Sequence, residues 1–352
     1  MLKSLAGSQQ AGDEEGVAWS LATLADIYSN RGEYEKANPM YVQVIKKYLK
    51  IGNRVDALQN SYGLTINELD MGNVRYAKKN LNTDLLTAQD LGLDIFAKKI
   101  LWRLAELAYR QGDYNLADRR YQEADEYSRK VGDQSYEKLN VLNNKALLAY
   151  VQGNLEYACH CFEITLLGIK ENQSDEFSGS TMGEYGLALL HSGRFDEARR
   201  HFENGIALME KVGQENFAYM AWFGLGELER LSKNIPAARN HYQHALFICN
   251  KFRLYLYSLE VFEAYAKLVM QRNDLYQSAR WFGFVAGLRK KFGTVVYPVD
   301  RPDYDKHLEL LKSKMSAEEF ESARAEGEKM EMKDAFALAL VGYEPIGIGG
   351  SV

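Results

Sequence analysis

The chain has 352 residues, 46% of them hydrophobic, with 43 lysines and arginines against 48 acidic residues and a formal charge of −5. That balance, with no long basic run, excludes non-specific nucleic-acid binding as a main task. No signal peptide and no apolar run of bilayer length are read, and Cys159, Cys161 and Cys249 give no disulfide framework. The expectation is a cytoplasmic protein without a membrane partner.

Taken in order, residues 1–16 read as a partial repeat or N-terminal cap, because Gly12 closes a helix that has little chain before it. From there one pattern returns: glycine, an apolar residue two on, alanine five on. It stands at Gly32/Tyr34/Ala37, Gly72/Val74/Ala77, Gly112/Tyr114/Ala117, Gly153/Leu155/Ala158 and Gly193/Phe195/Ala198. Successive glycines lie 40, 40, 41 and 40 residues apart. The same phase continues at Lys233/Ile235/Ala238 and Asn273/Leu275/Ser278, where glycine is lost. A second series (Gly12, Gly52, Gly92, Gly132, Gly213) marks the joints between one unit and the next.

A period of this size signals a stacked repeat protein. Glycine ends one helix because it takes positive φ without a Cβ clash, and alanine lets two helices approach closely. The spacing predicts first helices over 17–30, 54–70, 94–111, 134–152, 175–192, 215–232 and 254–272. Their partners fall at 34–50, 74–91, 114–131, 155–170, 195–212, 235–251 and 275–291. Together they make an array over 17–292. Pro39 is a misfit inside the first partner helix. Residues 293–302, with Pro298 and Pro302, read as an extended linker. A helical cap follows over 303–341, with Ser316 and Glu319 forming a capping box. Residues 342–352 read as a flexible tail.

Small residues seven before the motif glycine (Ala25, Ala105, Ala146, Gly186), the glycine, the apolar residue and the alanine together resemble tetratricopeptide repeats of the roughly forty-residue kind. The implied fold is all-α, a right-handed superhelical solenoid of about seven helix pairs with a C-terminal helical cap. Near the end, Ala279-Arg280-Trp281-Phe282-Gly283, Gly293, Tyr304, Phe320, Ala325-Glu326-Gly327 and Ala335–Leu340 resemble the C-terminal region of bacterial signal-transduction ATPases with many domains, including LuxR-type regulators. That likeness implies an upstream ATPase module. No Gly-x4-Gly-Lys-Ser/Thr motif occurs in this chain.

The tetratricopeptide likeness also implies that first helices line the concave face. Counting back from each motif glycine then gives candidate groove residues: Tyr62, Trp102, Glu106, Tyr109, Asn140, Asn143, Tyr150, Phe223, Glu227 and Arg230. Asn143-Asn144-Lys145-Ala146 resembles a stretch with which such arrays hold peptide backbones, with Lys145 in place of leucine. Metal and catalytic readings fare worse. Cys159 and Cys161 diverge by about 200° on a helix, and His241 and His244 lack a third ligand. Gly179-Ser180-Thr181-Met182-Gly183 has no central serine, and Gly347-Ile348-Gly349-Gly350 has neither strand before it nor helix after it. The reading is a non-catalytic scaffold with no cofactor and no metal, the protein-, peptide- or small-ligand-sensing region of a bacterial regulator. The alternative is a free-standing adaptor that joins two proteins.

Overall fold

The computed structural model describes residues 2–130, 134–172 and 175–344. Among them every regular element is helical. The chain divides into two compact units. The first holds residues up to 109 with 115–133 and 251–256; the second holds 110–114, 134–250 and everything from 257 onward.

The first unit is built on α1 (Leu2–Ala11), α2 (Glu14–Asn30), α3 (Tyr34–Lys50), α4 (Arg54–Asp70), α5 (Val74–Asp90), α6 (Asp94–Arg110) and α7 (Tyr114–Lys130). Residues 2–11 thus form a helix, which Gly12 closes at φ 68°. Asp13 caps the next by accepting from the Gly16 N–H at 2.9 Å. α3 runs through Pro39 without a break, at the cost of one intrahelical bond. The stretch 251–256 packs back onto this unit. The Leu256 N–H donates to the Asp70 carbonyl at 3.1 Å, and a Cβ on Gly32 would meet the Lys251 carbonyl oxygen at 2.5 Å.

The second unit contains α8 (Gln134–Val151), α9 (Leu155–Asn172), α10 (Asp175–His191), α11 (Phe195–Lys211), α12 (Tyr219–Leu231), α13 (Ile235–Lys251), α14 (Ser258–Gln271) and α15 (Leu275–Phe292). After a connector come α16 (Arg301–Lys314), α17 (Ala317–Glu328) and α18 (Met332–Ala339). The predicted helix 215–232 is shorter, a single 3-10 turn at Glu215–Phe217 followed by α12. The predicted 254–272 likewise begins only at Ser258, behind Arg253 at φ 58°. α16 starts two residues earlier than predicted, because Pro302 falls in the first turn, where no N–H is needed. Gly132 and residues 345–352, including Gly347–Gly350, lie outside the described residues.

One column of side chains explains the packing. Nine residues past each motif position stand Tyr41, Leu81, Tyr121, Phe162, Phe202, Tyr242 and Phe282, all buried. Each is a large knob that needs a small residue opposite. Phe202 fills the space of a Cβ on Gly186 (2.4 Å) and on Gly224 (2.1 Å), and Tyr242 does the same at Gly226 (2.4 Å). The alanines five past each motif position are buried from Ala37 to Ala238, with Ser278 last. A single hairpin could not hide these faces, whereas stacked neighbours do. Where glycine is lost, Lys233 and Asn273 still take φ 61° and 63°.

Candidate functional site

The ten predicted residues sit in the two units in different ways. In the first unit Tyr62 is half-buried, edge-on to Phe96 at 6.0 Å. Trp102 is half-buried with the Lys98 ammonium 5.3 Å from its ring centroid, and its buried indole nitrogen has no hydrogen-bond partner among the described residues. Glu106 accepts from Arg103 at 2.9 Å, and Tyr109 is buried. In the second unit Asn140 is half-buried and Asn143 buried. The Asn143 amide is engaged on both sides, its nitrogen donating to Glu184 at 3.1 Å and its oxygen accepting from Thr181 at 3.2 Å. Phe223 lies beside Tyr242 at 6.4 Å. Tyr150 stands beside His191, and Glu227 and Arg230 belong to the feature that dominates this unit.

That feature is a buried charge network, set on first helices of the repeats. Arg230 forks onto Glu227, with Nε to Oε1 at 3.0 Å and Nη2 to Oε2 at 2.6 Å. The Tyr242 hydroxyl, from α13, donates to the same carboxylate. On α14, Lys267 bonds Glu263 at 2.8 Å, and Glu263 also accepts from Arg289 of α15 at 2.5 Å. Asp303 of α16 joins the two halves, 2.9 Å from Lys267 and 3.8 Å from Arg230. His307 adds a contact to Asp303 at 3.4 Å.

Protonation follows from this arrangement. Burial alone would raise the Glu227 carboxyl, but Arg230, Lys267 and the Tyr242 hydroxyl outweigh it and hold it at about 2. Burial also opposes ionisation of Glu263, and Lys267 and Arg289 overcome it, so that carboxyl too is lowered. Desolvation would discharge Lys267; Glu263, Glu227 and Asp303 raise it instead. Each charge therefore persists because of its neighbours. Removing one partner of such a pair typically costs about 3–5 kcal/mol.

Across the ends of these helices runs the connector, Gly293 to Asp300. Gly293 ends α15 at φ 69°. The Val295 N–H donates to the Arg110 carbonyl at 3.0 Å, and the Val299 N–H to the Val151 carbonyl at 3.3 Å. Val295 also sets a methyl 3.3 Å from where a Cβ on Gly112 would stand. The Arg110 guanidinium lies over the Tyr257 ring at 4.6 Å and pairs with Glu260 at 3.3 Å. Asp300 meets His191 Nε2 at 3.1 Å, while His191 Nδ1 faces the Leu187 carbonyl at 3.0 Å. Both imidazole nitrogens look at acceptors, so only the cation satisfies both. Burial works against that cation, but the bonds to Asp300 and Leu187 prevail and raise its pKa. Tyr150 is buried edge-on to the His191 ring at 5.5 Å.

Of the ten candidates, Glu227 and Arg230 sit in the charge network and Tyr150 stands beside His191, while His191, Glu263, Lys267, Asp300 and Asp303 were not among them. One signal was available: Glu263 and Lys267 stand four apart on a helix that is otherwise nearly all apolar. The metal readings gain nothing. Cys159 and Cys161 are buried and His160 exposed, while His241 and His244 pack on Trp222, with ring centroids 5.5 and 4.2 Å away.

Against known proteins, the tetratricopeptide repeat profile matches residues 17–51 and, in a second form, 177–251. Those two stretches carry the tetratricopeptide repeat signature. No protein of curated function matches it in sequence. Among solved structures the array is similar to the Rap conjugation gene regulator of the plasmid pLS20, in complex with the Phr* peptide. The TM-score is 0.65 at 15% identity, over 81% of this chain and 77% of that one. It also matches a signal transduction ATPase with numerous domains and a tetratricopeptide repeat sensor, from Pyrococcus horikoshii. There the TM-score is 0.47 at 15% identity, over 89% of this chain and 49% of that one. At such identities the likeness is one of fold. The described residues thus form an all-α helical solenoid. No helix among the described residues is long and apolar enough to cross a membrane.

Proposed function

We propose that this scaffold is the sensing region of a bacterial regulator and that it captures a protein or peptide on the face made by the first helices of its repeats. The observation that carries this reading is the connector itself. In the second unit a stretch of chain, extended over 294–297 and turning over 298–300, already runs across the ends of those helices, held by two backbone N–H groups and by a carboxylate–imidazole pair. A surface that offers carbonyls and fixed charges at repeat spacing suits an extended peptide. The buried ions favour the same reading. Such a network returns little more stability than its desolvation costs, so its value lies in presenting charge in a fixed geometry. The similar solved regulator holds a peptide, and tetratricopeptide arrays as a class bind proteins, which agrees with this choice. In this reading the bound state is passed to an ATPase module and its effector by shifting an existing equilibrium.

Panning a random peptide library over the purified full chain tests the proposal. Enrichment of a consensus, with binding weakened at least about tenfold in Lys267→Met or Phe223→Ala while helical circular dichroism is unchanged, would support it. No consensus, or binding indifferent to both substitutions, would contradict it.

A further inference from the structure

We infer that Val295–Asp303 is a built-in occupant of the binding face, and that the face takes in its place a peptide that is extended at a β-branched residue and then turns into a helix start carrying two carboxylates three residues apart. This rests on the binding-face reading above and specifies its ligand. The occupant's anchors come from successive repeats: the Arg110 carbonyl, the Val151 carbonyl, the His191 imidazole, then Arg230 and Lys267. The first four of these positions follow the forty-residue period of the array, since 151−110 = 41, 191−151 = 40 and 230−191 = 39. A segment that only linked two helices would need no such register.

The charges point the same way. Without the occupant, Arg230, Lys267 and Arg289 face Glu227 and Glu263. Three cations against two carboxylates leave one positive charge, and Asp303 supplies its counterpart. His191 is likewise fully bonded only while Asp300 is present. Arg110 does not change this count, because Glu260 already answers it. Vacated, the face is cationic and asks for two carboxylates at the spacing of Asp300-Arg301-Pro302-Asp303. At the other end both Val295 methyls pack at Gly112, 3.3 and 3.6 Å from where a Cβ there would stand. That contact selects a branched apolar side chain ahead of the acidic pair.

The pairs that remain make the occupant removable. Deleting the Asp300 and Asp303 charges leaves Lys267 paired with Glu263 and Arg230 with Glu227, and an asparagine oxygen at 300 can still accept from His191. Replacing both by asparagine in the full chain should therefore loosen the occupant while the helices stay folded.

The test is fluorescence anisotropy with a labelled peptide of the sequence 293–305. Binding to the full-length D300N/D303N variant is expected to be at least about tenfold tighter than to wild type. A second labelled peptide, with asparagine at both acidic positions, is expected to lose about tenfold on that variant, the effect of one charge-assisted hydrogen bond. Equal binding to wild type and variant, binding to neither, or an asparagine peptide that binds as well would overturn the inference. Should the double variant lose helical circular dichroism, Asp303→Asn alone gives the same comparison, with about threefold expected; no difference would again overturn it. A library consensus that lacks paired carboxylates and binds wild type and variant alike would overturn this inference yet leave the binding-face reading intact.

Discussion

At Gly327 an added methyl would stand 1.8 Å from the Arg280 carbonyl oxygen, and at Gly283 2.2 Å from that of Arg324. Both obstacles are backbone, so α15 and α17 can touch only through these two glycines. Gly327→Ala is expected to cost about 1–3 kcal/mol, the scale of overpacking, and to lower the thermal midpoint by several degrees. Gly183→Ala makes the contrast. Its nearest neighbour is the Met220 sulfur at 3.5 Å, an ordinary contact, so the gain in helix propensity of roughly 0.5–1 kcal/mol should dominate. Paired melts of the two variants check the sign of each. A related expectation concerns Lys233, which holds φ 61°. Lys233→Gly should stabilise by about 1 kcal/mol, and Asn273→Gly by less, because asparagine tolerates that region.

Among the elements, α18 and the residues after it are tied to α13 by Gln243 donating to the Ala339 carbonyl at 2.7 Å, and by Tyr343 and His244 at 2.5 Å. Burial pushes His244 down to about 4, nearby His241 adding to the effect and Glu215 opposing it. The unfolded chain takes up this proton near pH 6.5 and the folded chain only near 4. The contribution is thus fully present above pH 6.5 and is lost as pH falls toward 4. Amide exchange across 335–343, corrected for intrinsic rate, is expected to be faster at pH 5 than at pH 7. His244→Gln should remove that difference. Asp84 behaves oppositely: burial raises its carboxyl to about 6, against a bond from Ser61. Its contribution is present at low pH and is lost as pH rises through 6, so a global melt against pH would mix the two signs, whereas exchange read at α18 does not.

For the molecule as a whole, the repeat period made nearly every helix legible, because one packing solution recurs and leaves the same residue types at the same phase. The knob at Tyr41, Phe202 or Tyr242 and the small residue facing it are local enough to be counted. The early departures, at Arg253 and before Ser258, arise where the chain leaves the period to pack on distant helices. The site divides in the same manner. Glu227 and Arg230 share one helical turn, whereas Lys267 and Asp303 join them from positions 37–76 residues further on, and no period reports such a meeting. The connector read as a linker because its two prolines and β-branched residues say extended, and extension alone does not say what lies beneath.

The most direct test of the account is hydrogen–deuterium exchange at the Val295 and Val299 amides in the full chain. Bonded to the Arg110 and Val151 carbonyls, they should be protected in wild type. In D300N/D303N they should exchange at least about tenfold faster while α8, α10, α12 and α14 keep their protection. Rapid exchange of both amides in wild type, or protection unchanged in the variant, would contradict the claim that this segment occupies a binding face and is held there by its two carboxylates.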